Sequence, residues 1–311
     1  MKPFNPSRQK IAMLGGGQLG RMLLQSAIDL NLTIWVMDPD EQAPCKNLVS
    51  RFVCGNLMDE ESVYEFGKKA DIITIEIEHV NVNALKKLRD EGKKVFPQPE
   101  VIETIQDKGL QKMFYQRNEI PTPDFFLIES KSQIERYADY FPFFQKLRKG
   151  GYDGKGVQKL SDKLSIEKAF DSPSILERLV DFEKEISVLV ARNEAGEMRC
   201  FPVVECEFNS EANLVEFLFS PARIKKSIEL EAYSIAKLTA EKMNLVGLLA
   251  VELFLCKDGR LMVNEVAPRP HNSGHHTIEA NNISQFEQHL RAITGLPRSE
   301  EHTSELQSRL H

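Results

Sequence analysis

The chain has 311 residues, 41% hydrophobic and 28% charged, enough to bury a sizeable core and to fill two or three domains. A formal net charge of -6 without a dense basic stripe excludes binding to nucleic acid through clustered Lys and Arg, and no apolar run approaches the roughly 20 residues that cross a bilayer. Five cysteines (Cys45, Cys54, Cys200, Cys206, Cys256) make no C-x-x-C pair, and the opening Met1-Lys2-Pro3-Phe4 has no secretory pattern, so a reduced, cytoplasmic protein is expected.

In chain order, Lys10–Leu14 reads as a strand, a Gly-rich turn follows, Arg21–Leu30 reads as a helix, and Thr33–Met37 as the next strand. This is a βαβ unit. Val49–Val53 and Asp71–Ile75 are further strands separated by a helix near Asp59–Lys69, so the N-terminal third predicts a parallel, doubly wound sheet ending near Pro97–Pro99. From Ile120-Pro-Thr-Pro onward the pattern becomes α+β, with Glu185–Arg192 and Met198–Glu205 as an antiparallel pair around Asn193-Glu-Ala-Gly. A helix over about Ile228–Met243 should turn Ile228, Ala232, Ile235 and Leu238 inward. Another begins at Ser284 with a capping box to Glu287 and stops at Gly295. Both read as ordinary packing helices.

Two glycine loops invite anions. Gly15-Gly-Gly-Gln-Leu-Gly20 fits G-x-G-x-x-G between strand and helix, with Asp38 closing the next strand, so a dinucleotide, a nucleotide monophosphate or merely a tight turn would each fit. Lys149-Gly-Gly-Tyr-Asp-Gly-Lys-Gly156 resembles a lid that orders its amides around polyphosphate, the plain alternative being a flexible hairpin tip. Lys146, just before it in an apolar strand, either snorkels to solvent or meets phosphate.

The strand-like runs Leu248–Cys256 and Arg260–Val266 flank Asp258-Gly259, a dipeptide favoured in two-residue hairpin turns. Counting outward from that turn sets Glu252 against Glu265 on one face, amid Ala250, Phe254 and Val263. Two desolvated carboxylates so close either share a proton or hold a cation, and hard oxygen donors suit Mg²⁺ completed by phosphate and water. A turn longer by one residue would break this register. The following Val266-Ala-Pro-Arg-Pro-His-Asn-Ser-Gly-His-His276 loop is dense in hydrogen-bonding groups, and its histidines His271, His275 and His276 lack the partners of a zinc site, which favours substrate contacts.

The ordered motifs GGGQLGRM, TIEIEHV, GGYDGKG, VELF, NEVAPRPHNSGHH and ISQFEQHLRAITGLP resemble those of the 5-(carboxyamino)imidazole ribonucleotide synthetase family, within the ATP-grasp superfamily, over nearly the whole chain. The resemblance implies a Rossmann-like pre-ATP-grasp domain over 1–107 and an ATP-grasp domain over 108–297, with a mobile subdomain at about 120–182. It implies ATP-dependent carboxylation of aminoimidazole ribonucleotide by bicarbonate, through carboxyphosphate, in purine biosynthesis. It assigns ATP contacts to Lys108, Lys146, Gly150, Gly151, Gly154, Lys155, Gly156, Glu177, Arg178, Leu179, Val180, Glu185 and Asn264, and Mg²⁺ or Mn²⁺ to Glu252 and Glu265. The aminoimidazole ribonucleotide falls to Gly17, Gln18, Leu19, Gly20, Glu76, His271, Asn272 and Ser273, with Tyr152, Asp153 and Arg269 at the chemistry and Asp153 as general base. In this family the first glycine loop holds the substrate's phosphate. The expected partners are these small molecules, with neither nucleic acid nor membrane, and a homodimer is the candidate assembly.

Two departures stand out. Phe208 lies where members of that family commonly carry His, which puts one nucleotide contact in question. Members also continue into a small C-terminal domain, whereas Arg298–His311 reads as translated adapter sequence. The rival readings are another ATP-grasp ligase or transformylase, a NAD-dependent oxidoreductase built on the first glycine loop, and a non-catalytic nucleotide-binding protein.

Overall fold

The computed structural model describes residues 9–151, 156–209 and 214–297; the expectations for Tyr152, Asp153, Gly154, Lys155 and Arg298–His311 lie outside them. The N-terminal elements are β1 (Lys10–Leu14), α1 (Gln18–Asp29), β2 (Thr33–Asp38), β3 (Phe52–Cys54), α2 (Glu60–Gly67), β4 (Ile72–Ile75), α3 (Val82–Asp90) and β5 (Lys94–Val95). Their strands form one parallel sheet in the order β3-β2-β1-β4-β5. The alternation of β1 explains why both faces need cover: Ile11 and Met13 join one apolar cluster, Ala12 and Leu14 the other. Helices α2 and α3 close the second face with Val63, Phe66, Leu85 and Leu88. Asp59 and Asn81 start them by accepting the Ser62 and Ala84 amides.

Helices α4 (Pro99–Gln106) and α5 (Lys108–Arg117) lead to β6 (Phe125–Ile128), β7 (Phe143–Leu147), β8 (Val157–Leu160) and β9 (Ser174–Arg178), an antiparallel four-stranded sheet in the order β6-β9-β7-β8. Its outer face packs Ile128, Phe143, Leu160 and Leu176 with Ile134 and Ile166 from the 3₁₀ turns at Lys131–Tyr140 and Lys163–Lys168.

The third sheet holds β10 (Phe182–Arg192), β11 (Met198–Cys200), β12 (Val204–Asn209), β13 (Leu214–Phe219), β14 (Gly247–Cys256) and β15 (Leu261–Ala267), ordered β13-β12-β10-β14-β15 with β11 on β10. The expected β10 pairing occurs, but in two pieces: Val190 faces Cys200, the chain leaves the ladder over Phe201–Val203, and Ser187 faces Val204 one residue out of step. Helix α6 (Lys226–Lys242) lays Ala232, Ile235, Ala236 and Ala240 on this sheet, with Ile228 and Leu238 partly buried beside them.

After α7 (Thr277–Ala280) comes α8 (Gln285–Thr294), which crosses back to the first sheet. Its Phe286, Leu290 and Ile293 share one core with Leu23, Leu24 and Ala27 of α1, a burial on the order of 2 kcal/mol per side chain. The two halves of the chain are therefore packed as one body there. Ser284 caps α8 by accepting the Glu287 amide, and Gly295 ends it at φ 73°. The expected capping box is only half made, because the Glu287 carboxylate turns to Arg291 instead.

Candidate active site

The β14–β15 hairpin sets the centre of the site. Its loop is three residues long: Cys256 N–H donates to Arg260 O, and Gly259 takes φ +88°, so the expected two-residue turn is incorrect. Leu255 faces Leu261 and Leu253 faces Val263 in that register. One extra residue, Asn264, then bulges from β15, and beyond it Glu252 faces Glu265 after all. The longer loop and the bulge cancel. Glu265 is also less enclosed than expected: 50% of its side chain faces the cleft, against 22% for Glu252.

These carboxylates sit among cations. Lys108, at the start of α5, bonds Glu265 at 3.0 Å and holds it well below the usual carboxylate range, while Glu265 holds Lys108 above the usual lysine range against the opposing effect of burial. Glu252 is pushed up, first by burial and then by Glu265 and Glu185, so it is the member of the pair that takes a proton when no cation is present. Lys146 of β7 reaches Glu177 of β9 at 2.6 Å and Asn264 at 3.4 Å. Lys112, one turn beyond Lys108 and 2% exposed, pairs with the other side of Glu177 and donates to Thr122 at 2.6 Å. Burial alone would push Glu177 up, but the two lysines outweigh it and hold it down; burial and Lys146 push Lys112 down. Glu185 of β10 is raised by burial to about 7.

Sequence reasoning missed Lys112 because lysines in a polar helix read as surface. The signal was its place on one α5 stripe with Lys108 and the fully buried Tyr115.

The first glycine loop lies across the cleft. Gly16 N–H donates to Asp38 at 2.6 Å, and a second Asp38 oxygen accepts the Asp40 amide, so Asp38 braces the loop. Glu76, at the end of β4, leans into the loop: Gly20 N–H reaches it at 3.4 Å, and a Cβ at Gly17 would stand 2.7 Å from its carboxylate. Burial raises Glu76, with those amides partly offsetting it. Gln18 is exposed at the mouth, whereas Leu19 turns into the core.

The loop after β15 joins the two sides. Arg269 pairs with Glu78 at 2.9 Å, a partner that nothing local in the sequence signalled. His271 Nδ1 accepts the Ser273 amide at 3.3 Å and meets the Ser273 hydroxyl at 2.9 Å, which in turn meets Ser187 at 2.8 Å. With Nδ1 accepting, the proton is on Nε2, which faces Glu252 at 3.6 Å. Burial, then Arg269, lowers His271 to about 4 and keeps it neutral near pH 7. Ser273 is buried and committed to His271, while Asn272 is exposed.

Gly150, Gly151 and Gly156 lie in the β7–β8 connection, with Gly150 and Gly156 both at φ +77°. Arg178 sends its guanidinium out over Tyr140, away from the lysines, so only its backbone lines the connector with Leu179 and Val180. Phe208 belongs to β12, and its side chain lies outside the described residues.

Among the described residues no three His, Cys, Asp or Glu side chains gather as a metal cage. Two opposed carboxylates beside an amide oxygen nonetheless fit a hard cation that draws its remaining ligands from phosphate and water, the habit of Mg²⁺.

Family models match in the same order as the sheets: a ribonucleotide synthetase preATP-grasp domain over residues 8–106 and an ATP-grasp domain over 113–286. The chain is 37% identical over 295 residues to the N5-carboxyaminoimidazole ribonucleotide synthase of Bacillus subtilis, covering 92% of this chain and 76% of that one. It is 40% identical over 299 residues to the phosphoribosylaminoimidazole carboxylase of Ogataea methanolica, covering 93% of this chain and 55% of that one; it thus spans about half the length of such relatives. Among solved structures, N5-carboxyaminoimidazole ribonucleotide synthetase from Thermotoga maritima superposes with a TM-score of 0.85 at 40% identity, over 93% of this chain and 76% of that one. The Aspergillus clavatus N5-carboxyaminoimidazole synthase in complex with ADP and 5-aminoimidazole ribonucleotide gives 0.87 at 31% identity, over 94% and 78%.

Proposed function

The chain belongs to the N5-carboxyaminoimidazole ribonucleotide synthetase family of ATP-grasp proteins, and from this premise we propose that it uses ATP to carboxylate 5-aminoimidazole ribonucleotide with bicarbonate. The products are 5-(carboxyamino)imidazole ribonucleotide, ADP and phosphate, a step of de novo purine biosynthesis. The observation that carries the reading is Glu252 facing Glu265, with Lys108 and Lys146 on one side and His271 on the other. The reading extends to a cytoplasmic enzyme, with a homodimer to be sought by sedimentation.

Bicarbonate is a poor electrophile. An oxygen of it attacks the γ-phosphorus, the bond to ADP breaks, and carboxyphosphate forms with phosphate as its leaving group. Charge accumulates on the phosphoryl oxygens, and Lys108 and Lys146 stand where they can offset it. Mg²⁺ or Mn²⁺ held by Glu252, Glu265 and Asn264 would supply further charge neutralisation. Lys112 and Glu177 lie beneath Lys146 and fix its ammonium. The backbone of 177–180 takes adenine, and Glu185 the ribose.

The exocyclic amine nitrogen then attacks the carboxyl carbon of carboxyphosphate, or CO₂ released from it in the closed site, and phosphate departs. The amine loses a proton, which we assign to Asp153, with its sequence neighbour Tyr152 as a further substrate contact. Glu76, Gly17–Gly20, Arg269, His271 and Asn272 hold the ribonucleotide. Asp38 is engaged in bracing Gly16 and Asp40, which disfavours the dinucleotide alternative.

Phosphate release from ATP tests the proposal. Release should require both aminoimidazole ribonucleotide and bicarbonate and fall at least about 100-fold in Glu265→Gln. Turnover indifferent to the amine would send the assignment to another ATP-grasp ligase, and ATP-independent NAD reduction would overturn it.

A further inference from the structure

The motif Ile283-Ser-Gln-Phe-Glu-Gln-His289 has no task in the chemistry above, and α8 was expected only to pack. Its apolar stripe does pack. Gln285, however, is fully buried at the first turn and sends both ends of its carboxamide to one residue: His271 N–H donates to Oε1 at 2.8 Å, and Nε2 donates to His271 O at 2.7 Å. The backbone of His271 is thus gripped as a neighbouring strand would grip it. The fit is close, because a Cβ on Gly274 would lie 2.4 Å from the Gln285 carboxamide carbon. The Gln285 amide itself donates to Thr277, whose hydroxyl donates to Gly274 O, so the same helix end ties the far side of the turn.

We propose that Gln285 is a positioning residue for His271: by holding both backbone groups of that residue it keeps the 271–274 turn closed, and hence the ring in the one tautomer that points Nε2–H at the substrate cleft. The link runs from carboxamide to the His271 backbone, whose carbonyl also accepts the Gly274 amide at 2.9 Å and so closes the turn, and within that turn from the Ser273 amide to Nδ1. A side chain that only filled space would not need two opposed hydrogen bonds to one residue, and its loss would leave the His271 N–H unpaired, which is costly, while His271 O keeps the Gly274 amide. The proposal rests on the reading of His271 as a contact for aminoimidazole ribonucleotide.

The test uses the full chain with Gln285→Met, His271→Asn and both together. Calorimetric titration with aminoimidazole ribonucleotide in the presence of MgADP is paired with nitrogen-15 spectra of the histidine rings. Gln285→Met should weaken the ribonucleotide about tenfold, leave MgADP within about twofold, and add little in the His271→Asn background. The His271 ring should pass from a fixed Nε2–H pattern to an averaged one. Equal weakening of both ligands, full additivity, or an unchanged ring spectrum would overturn the proposal. If His271→Asn itself leaves ribonucleotide binding intact, the reading of His271 has failed, and the ring spectrum alone decides Gln285. Should Gln285→Met not fold, Gln285→Glu keeps the acceptor and loses the donor, and the same outcomes apply.

Discussion

His289 sits at zero exposure where α8 meets both sheets, and its protonation should be felt as stability. Leu248 N–H donates to its Nδ1 at 3.3 Å, so Nε2 carries the proton and meets Thr74 Oγ1 at 3.0 Å. A second ring proton would face the Leu248 amide, and burial already pushes His289 down from 6.5 to about 4. The unfolded chain therefore binds this proton more tightly than the folded one. Its stabilising effect is complete above pH 6.5 and declines as pH falls from 6.5 toward 4. Linkage between those two values gives a loss of about 2 kcal/mol between pH 7.5 and pH 5. Other groups titrate in the same window: His271, His275 and His276 are also lowered, while Glu185 and Glu252 are raised and act with opposite sign. The difference between wild type and His289→Gln isolates the one group. Urea unfolding across pH 5 to 7.5 should show the gap between the two proteins narrowing by about 2 kcal/mol toward acid. Curves that stay parallel would refute the assignment.

Glu177→Gln leaves Lys112 buried without its counter-charge and should cost about 3–5 kcal/mol in denaturant unfolding, with much of it recovered in the Lys112→Met, Glu177→Gln double variant; a single-variant loss under about 1 kcal/mol would contradict the ion-pair argument. Gly17→Ala pushes a methyl against the Glu76 carboxylate at 2.7 Å. That end of Glu76 can swing aside, so the melting temperature should barely move while affinity for aminoimidazole ribonucleotide falls about tenfold, read by calorimetry. Asp153→Asn should lower carboxylation at saturating substrate by about 100-fold or more, measured by product formation, and undiminished carboxylation would remove Asp153 as the base.

Much of the frame is written locally. The short, continuous apolar runs of β1, β2 and β4 and the amphipathic helices between them signal strands buried on both faces, so the parallel sheet followed from pattern alone. The Glu252–Glu265 pairing was reached through a turn that is not there: Gly259 supplies a three-residue loop, and Asn264 restores the register further along β15. A bulge leaves little trace in alternation when the extra residue is polar beside another polar residue. Thr74–His289, Arg269–Glu78 and Gln285–His271 were hidden for a different reason. Each joins segments brought together only by the packing of α8 or by the approach of the two halves, and no spacing rule reaches across such distances.

The pairing of charges in the cleft bears on what can enter it. Lys108 already has Glu265, Lys146 has Glu177, and Arg269 has Glu78. At Lys108 and Glu265 a lone anion must pull the lysine from its carboxylate and strand that carboxylate, and a lone cation must do the reverse. Lys108 and Glu265 can part without loss only when each is offered a substitute in the same event, as a polyphosphate carrying its own divalent ion would do. That pair thus disfavours free phosphate or free metal arriving alone and favours the two arriving together.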